Sequence, residues 1–230
     1  MNISHTSTHL ALRSLALALA VACASPAVLA QAAATAPADT ASAAGTQSAD
    51  LFVKAVTSDL ITTVRNDKAI QAGDLRKAIA VIETKVLPYV NFQRMTASAM
   101  ARNWRQATPE QQKRLQEEFR TLLTYTYAGA VAQIKDQVVE FKPVRARPED
   151  TEVIVRSLVR GKSGEPVQID YRVEKSGDGW KIYDVNVLGA WLVETYRSSF
   201  AQEVTASGVD GLIAKLAERN KQLAAKKPAG

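Results

Sequence analysis

Cysteine and histidine are nearly missing from this 230-residue chain, which has one cysteine, Cys23, and two histidines, His5 and His9. A single cysteine excludes a disulfide framework and any cysteine-rich zinc or iron–sulfur site. The two histidines precede the first apolar run and Cys23 follows it closely, so cleavage after Ala30 leaves a chain with neither imidazole nor thiol. That excludes a histidine-based triad, an imidazole-ligated zinc site and a thiol nucleophile. The 11 glycines and 8 prolines are too few for a fibrous or wholly disordered protein. No glycine loop fit to cradle phosphate and no serine elbow is present. After the first thirty residues no stretch is long and apolar enough to span a bilayer.

The first thirty residues have the pattern of a secretory signal. Arg13 is the positive flank, Leu15 to Val21 form the apolar stretch, and small residues around Val28-Leu29-Ala30 suit cleavage after Ala30. Export to the periplasm is the expectation. The rival is a lipoprotein signal acylated at Cys23, although Ala20-Val21-Ala22 lacks the leucine common in such signals. Residues 31–49 are rich in Ala, Thr and Ser, with little to bury, and predict a disordered leader. The formal net charge of +6 suits an anionic lipid surface or an acidic partner. Without a long basic run it does not indicate nucleic acid.

Apolar residues at helical spacing predict a helix over 50–67 (Leu51, Val56, Leu60, Ile61, Val64) and a second after Gly73-Asp74, ending near Pro88. A short helix follows around Met95 to Trp104. Thr108, Pro109 and Gln111 form an N-cap, first-turn and capping-box series that starts a long helix with an apolar stripe at Leu115, Phe119, Leu122 and Tyr127. Gly129 is either a close-packing point or that helix's end. Strands are predicted near 138–145, 151–160, 167–175 and 180–188, most clearly where Val167, Ile169, Tyr171 and Val173 alternate with polar residues. A further helix from about Ala190 carries Leu192, Val193, Tyr196 and Phe200. It breaks at Gly208 to Gly211 and resumes through Leu212, Ile213 and Leu216. No internal repeat is present. The fold class is α+β: one domain over 50–220, a twisted antiparallel meander with helices on it, and a solvated tail over 221–230.

Catalysis would have to rest on carboxylates. Asp184 beside Tyr183 is the local pair to consider, and a fold-defining hydrogen bond is the competing role for it. Aromatic residues are spread over every element; the pattern suits a filled core and a ligand-lined hollow equally.

The segment Asp184-Val185-Asn186-Val187-Leu188-Gly189-Ala190-Trp191-Leu192-Val193-Glu194-Thr195-Tyr196-Arg197-Ser198-Ser199-Phe200 resembles the MlaC family of phospholipid-binding proteins, also called toluene-tolerance auxiliary proteins. Supporting blocks are Val86 to Phe92, Asn103 to Thr108, Phe119 to Leu123 with Tyr127-Ala128, and Gly208 to Leu212. They occur in order across residues 50–220. Three positions depart from the family pattern: Asn91 where aspartate is common, Ala101 where glycine is common, and Trp191 where serine is common.

The resemblance implies a lipid carrier and not an enzyme, without a cofactor or metal and with phospholipid as cargo. It implies a strongly curved, NTF2-like or cystatin-like sheet, covered by helices and enclosing an apolar cavity. It implies partners at both membranes: an outer-membrane MlaA-like lipoprotein with a porin, and an inner-membrane ABC transporter with an MCE-domain subunit. Such traffic maintains outer-membrane lipid asymmetry, and a monomer is the simplest shuttle. The expected lipid-binding residues are Phe92, Trp104, Phe119, Leu122, Leu123, Tyr127, Tyr171, Val173, Tyr183, Val185, Val187, Trp191 and Tyr196. Arg197 joins them as a phosphate contact, with a structural ion pair as its competing role. The alternatives are an NTF2-like enzyme using Asp184 with a tyrosine, and an envelope scaffold protein.

Overall fold

The computed structural model describes residues 47–225 except 148, 163 and 178. The signal over 1–30 with His5, His9 and Cys23, the leader up to residue 46, and the last five residues of the tail lie outside the described residues. Among the described residues, no helix is long and apolar enough to cross a membrane.

The chain runs α1 (Ala49–Asn66), α2 (Lys68–Gln71), α3 (Leu75–Lys85), a 3-10 turn (Leu87–Tyr89), α4 (Phe92–Met100), a second 3-10 turn (Ala101–Gln106) and α5 (Pro109–Ala132). Five strands follow: β1 (Val138–Phe141), β2 (Glu152–Arg160), β3 (Val167–Ser176), β4 (Gly179–Val187) and β5 (Ala190–Trp191). The last helix is α6 (Leu192–Ala225). Short polar side chains start several helices. Asp67 accepts from the amides of Ala69 and Ile70, Asp74 from Arg76 and Lys77, and Asn91 from Arg94. Thr108 and Gln111 close the reciprocal capping box that starts α5, at 3.2 and 3.0 Å. Gly129 lies inside α5, which continues to Ala132.

Ala101 holds φ at 48°, a left-handed conformation that costs a residue with a Cβ about 1–3 kcal/mol. This is the position where the resembling family commonly has glycine. Ala101→Gly is expected to raise the unfolding free energy by about 1 kcal/mol, because relief of strain exceeds glycine's extra unfolded-state entropy. Thermal unfolding with unchanged circular dichroism checks it.

The sheet is an antiparallel meander in the order β1-β2-β3-β4-β5. One face carries Val153, Val155, Tyr171, Val173, Trp180, Ile182 and Val185, which pack under Phe52, Val53 and Val56 of α1. The expectation of a strongly curved, NTF2-like or cystatin-like sheet around an apolar cavity is corrected here. The sheet is open and not strongly curved: β1 pairs only with β2, and β5 only with β4. Strong curling needs repeated bulges or glycine kinks. Among the described residues this sheet has one register shift, at Arg172/Val173, and its one glycine, Gly179, is the first residue of β4 and not an interior one. Its apolar face meets α1 directly, with Val155 and Val173 fully buried.

A second core joins α4, α5 and α6 through Met95, Met100, Leu115, Phe119, Leu123, Phe200 and Leu212. A smaller third one gathers Val64, Ile70, Ala78 and Ala132. Helix α6 folds back on itself at Gly208, whose φ of 72° and ψ of −178° are essentially glycine-only. Both limbs, 192–207 and 209–225, therefore lie against α5.

Candidate functional site

The fold-back at Gly208 creates a groove of about 590 Å³ between α5 and the two limbs of α6. This is within the roughly 300–1,000 Å³ of typical ligand pockets. Its floor is Leu122 from α5, Tyr196 and Phe200 from the first limb, and Leu212 and Leu216 from the second. Phe119 lies fully buried beneath, edge-on to Tyr196 at 4.9 Å and to Phe200 at 5.1 Å between ring centroids. Edge-to-face packing of this kind adds to the hydrophobic gain and makes the floor rigid. Thr126, Ser199, Glu203, Lys215, Glu218, Arg219 and Gln222 form the polar rim. An apolar trough with a charged lip suits an amphiphile.

Two ties join the second limb to its neighbours. The Lys215 ammonium pairs with Glu203 across the limbs, and the Ser207 hydroxyl donates to the same carboxylate at 2.6 Å. Deeper down, the Asn220 amide donates to the Glu118 carbonyl at 2.9 Å and to its carboxylate at 2.7 Å, and Arg114 holds the other carboxylate oxygen at 2.7 Å. Lys215, then Ser207, holds the Glu203 carboxyl below its ordinary 4.5. Such a lowered group contributes stability that is present above 4.5 and is lost as pH falls through its folded value. A carbon-detected NMR titration is expected to find the Glu203 midpoint below 4.5 and to see it return toward 4.5 in Lys215→Met.

The expected site residues divide among three places. Phe119, Leu122, Leu123 and Tyr196 sit in or under the groove, and Phe92, Trp104 and Tyr127 pack against the same helical core. Tyr171, Val173 and Val185 lie under α1 on the apolar face of the sheet, and Val185 also touches the helical core. Val187 is half-buried on that sheet face, paired with Ile169. Tyr183 and Trp191 lie on the opposite, polar face. There the Arg94 guanidinium stacks 3.6 Å above the Tyr183 ring while pairing with Glu174 and Glu152. Trp191 stacks under Arg172 at 3.9 Å. Arg197 points away from the groove, donating to the Ser98 carbonyl at 3.3 Å and to Glu194 at 2.8 Å. Asn91, which caps α4, also donates its amide to Glu174 at 2.7 Å, a bond that an ionised aspartate would not make.

The proposed acid–base pair does not form. Tyr183 donates to Glu152 at 2.9 Å, and burial followed by that carboxylate pushes its phenol up to about 12. Asp184, 1% exposed, accepts from the amides of Val185 (2.9 Å) and Val193 (3.1 Å) and pairs with Arg172 at 2.9 Å. Burial pushes its carboxyl up against these contacts. It is a structural residue. Among the described residues, no group of His, Cys, Asp and Glu is arranged to hold a metal ion.

Sequence reasoning missed Ser199, Glu203, Lys215, Arg219 and Gln222 as site residues. The available signal was the run Leu212, Leu216, Arg219 at spacings of four and three, one face of a helix read only as a terminal packing element.

The fold has counterparts among known proteins. The chain is similar to a toluene tolerance protein, ttg2D, of Pseudomonas putida, with 26% identity over 159 residues, 69% of this chain and 74% of that protein. It is similar to the intermembrane phospholipid transport system binding protein MlaC of Haemophilus influenzae, with 23% identity over 146 residues, 62% of this chain and 68% of that one. A solved structure of the phospholipid-binding protein from Ralstonia solanacearum, in complex with a phospholipid, matches with a TM-score of 0.73 and 47% identity. That match covers 76% of this chain and 98% of that chain. The model of the MlaC protein family matches residues 54–218, so this chain belongs to the MlaC family.

Proposed function

We propose that the chain is a periplasmic phospholipid carrier, not a catalyst, and that it holds acyl chains in the α5–α6 groove. One observation carries this reading: an apolar trough with a charged lip, in a chain 47% identical to a protein solved with a phospholipid. The physical need is large. Each methylene exposed to water costs about 0.8 kcal/mol, so about thirty of them cost on the order of 20 kcal/mol before chain entropy. A carrier has to hide the tails and still release them, which favours an apolar floor with few polar anchors over a tight polar cage.

In this reading Leu122, Tyr196, Phe200 and Leu216 meet the tails, and Phe119 supports them from below. The residues under α1, Tyr171, Val173 and Val185, hold the scaffold. Donor and acceptor are an outer-membrane MlaA-like lipoprotein with its porin and an inner-membrane ABC transporter with an MCE-domain subunit. The carrier travels between them as a monomer, and the traffic maintains the lipid asymmetry of the outer membrane.

Purification without detergent followed by native and denaturing mass spectrometry is expected to recover bound phospholipid. In Ser199→Trp, an exposed rim position filled by an indole, occupancy is expected to fall by about tenfold with an unchanged melting temperature. Protein that is lipid-free and accepts no labelled phospholipid overturns the proposal.

A further inference from the structure

We infer that Arg219 is the phosphate-anchoring, specificity-determining residue of the groove, the group that distinguishes a phospholipid from a neutral lipid with the same tails. This rests on the carrier reading above and adds to it a residue and a headgroup chemistry.

The rim of the groove carries two cations, Lys215 and Arg219. Lys215 is committed to Glu203. Arg219 makes no ion pair among the described residues, although Glu218 precedes it in the chain; Glu218 accepts instead from the Gln222 amide at 3.2 Å. Arg219 is exposed, one helical turn beyond Lys215 and three residues beyond the buried Leu216. Its methylene stem can therefore follow the apolar floor while the guanidinium stays at the lip. The guanidinium also lies close enough to the Tyr196 phenol, on the opposite limb, to oppose the effect of burial there.

An unpaired arginine at the mouth of an apolar trough fits a lipid whose polar end is an anion. The guanidinium presents a planar fork of donors that engages two phosphate oxygens together. The other arginine considered for this role, Arg197, has its donors committed to Ser98 and Glu194 on the far side of the first limb.

The test uses the purified protein with two probes of identical acyl chains, a pyrene-labelled phosphatidylglycerol and the matching pyrene-labelled diacylglycerol. The wild-type protein is expected to prefer the phospholipid by about tenfold, the scale of one charge-assisted contact. Arg219→Gln is expected to lose that preference while binding diacylglycerol as the wild type does. Arg219→Lys keeps part of it, and Arg197→Gln keeps all of it. An unchanged preference in Arg219→Gln overturns the inference and leaves the carrier reading standing, and so does an equal loss for both probes. Failure of the wild type to bind either probe overturns both readings. Inorganic phosphate is not expected to displace the phospholipid; displacement by it would assign Arg219 to a free anion and overturn the inference.

Discussion

Phe119→Ala is expected to lower the unfolding free energy by about 3–5 kcal/mol, the range for deleting a buried aromatic ring. The size follows from where the ring sits. Phe119 is fully buried on α5, with the rings of Tyr196 and Phe200 edge-on against it and Leu115, Leu122 and Leu123 on the same helix around it. Deleting it removes apolar burial, two aromatic contacts and the support beneath the groove at once. The surrounding helices have little room to collapse, because α5 is clasped to the second limb of α6 through Asn220–Glu118 and through Gln111–Asp210 at 2.8 Å. Urea unfolding with an unchanged m-value measures the loss. Leu188→Ala is the matched control: that side chain is 72% exposed and its truncation is expected to change stability by no more than about 0.5 kcal/mol. If the cost of Phe119→Ala were as small as that of Leu188→Ala, the rigid floor assigned to the groove would be wrong.

Local chemistry made the individual elements legible. Thr108, Pro109 and Gln111 mark the start of α5 because a reciprocal cap needs those residue types at that spacing. The alternation of Val167, Ile169, Tyr171 and Val173 marks β3 because one face of a strand is buried and the other is not. β5 was invisible because two residues carry no period. Its existence depends on Asn186 and Val187 offering partners across a tight turn. The curvature of the sheet was never in the residues. It came from family-level analogy, and strands with one bulge and no interior glycine do not supply it. The groove failed to show for a different reason. Leu122, Phe200 and Leu216 are far apart in the chain, and only the positive φ of Gly208 brings the second limb of α6 back over α5. The departure at Trp191 likewise acts away from the groove, under Arg172 on the polar face of the sheet.

Asp184→Ala is expected to cost about 3 kcal/mol, the low end of the range for removing one partner of a buried ion pair. Three groups lose an acceptor together: the Val185 amide, the Val193 amide in the first turn of α6, and the Arg172 guanidinium. The Val193 contact gives the loss its reach. A carboxylate from β4 caps the helix that forms one wall of the groove, where the helix dipole favours a negative charge. The cost stays at the low end because Arg172 keeps 30% of its side chain in water and retains Trp191 against its face. Asp184→Asn preserves the shape and one oxygen, but turns an amide donor toward Arg172, and is expected to fall between the wild type and Asp184→Ala. The pH dependence has a definite sign. Burial raises the Asp184 carboxyl above its usual 3.8, so the part of its contribution that depends on protonation is full below that value and is lost as pH rises through the higher folded one, while its contacts to Val185, Val193 and Arg172 remain. The stability gap between the wild type and Asp184→Asn is therefore expected to narrow as pH rises through that window, measured by urea unfolding at a series of pH values. A gap that widened instead would mean that Arg172 and the two amides outweigh burial, and that the fully ionised carboxylate is the form the fold prefers.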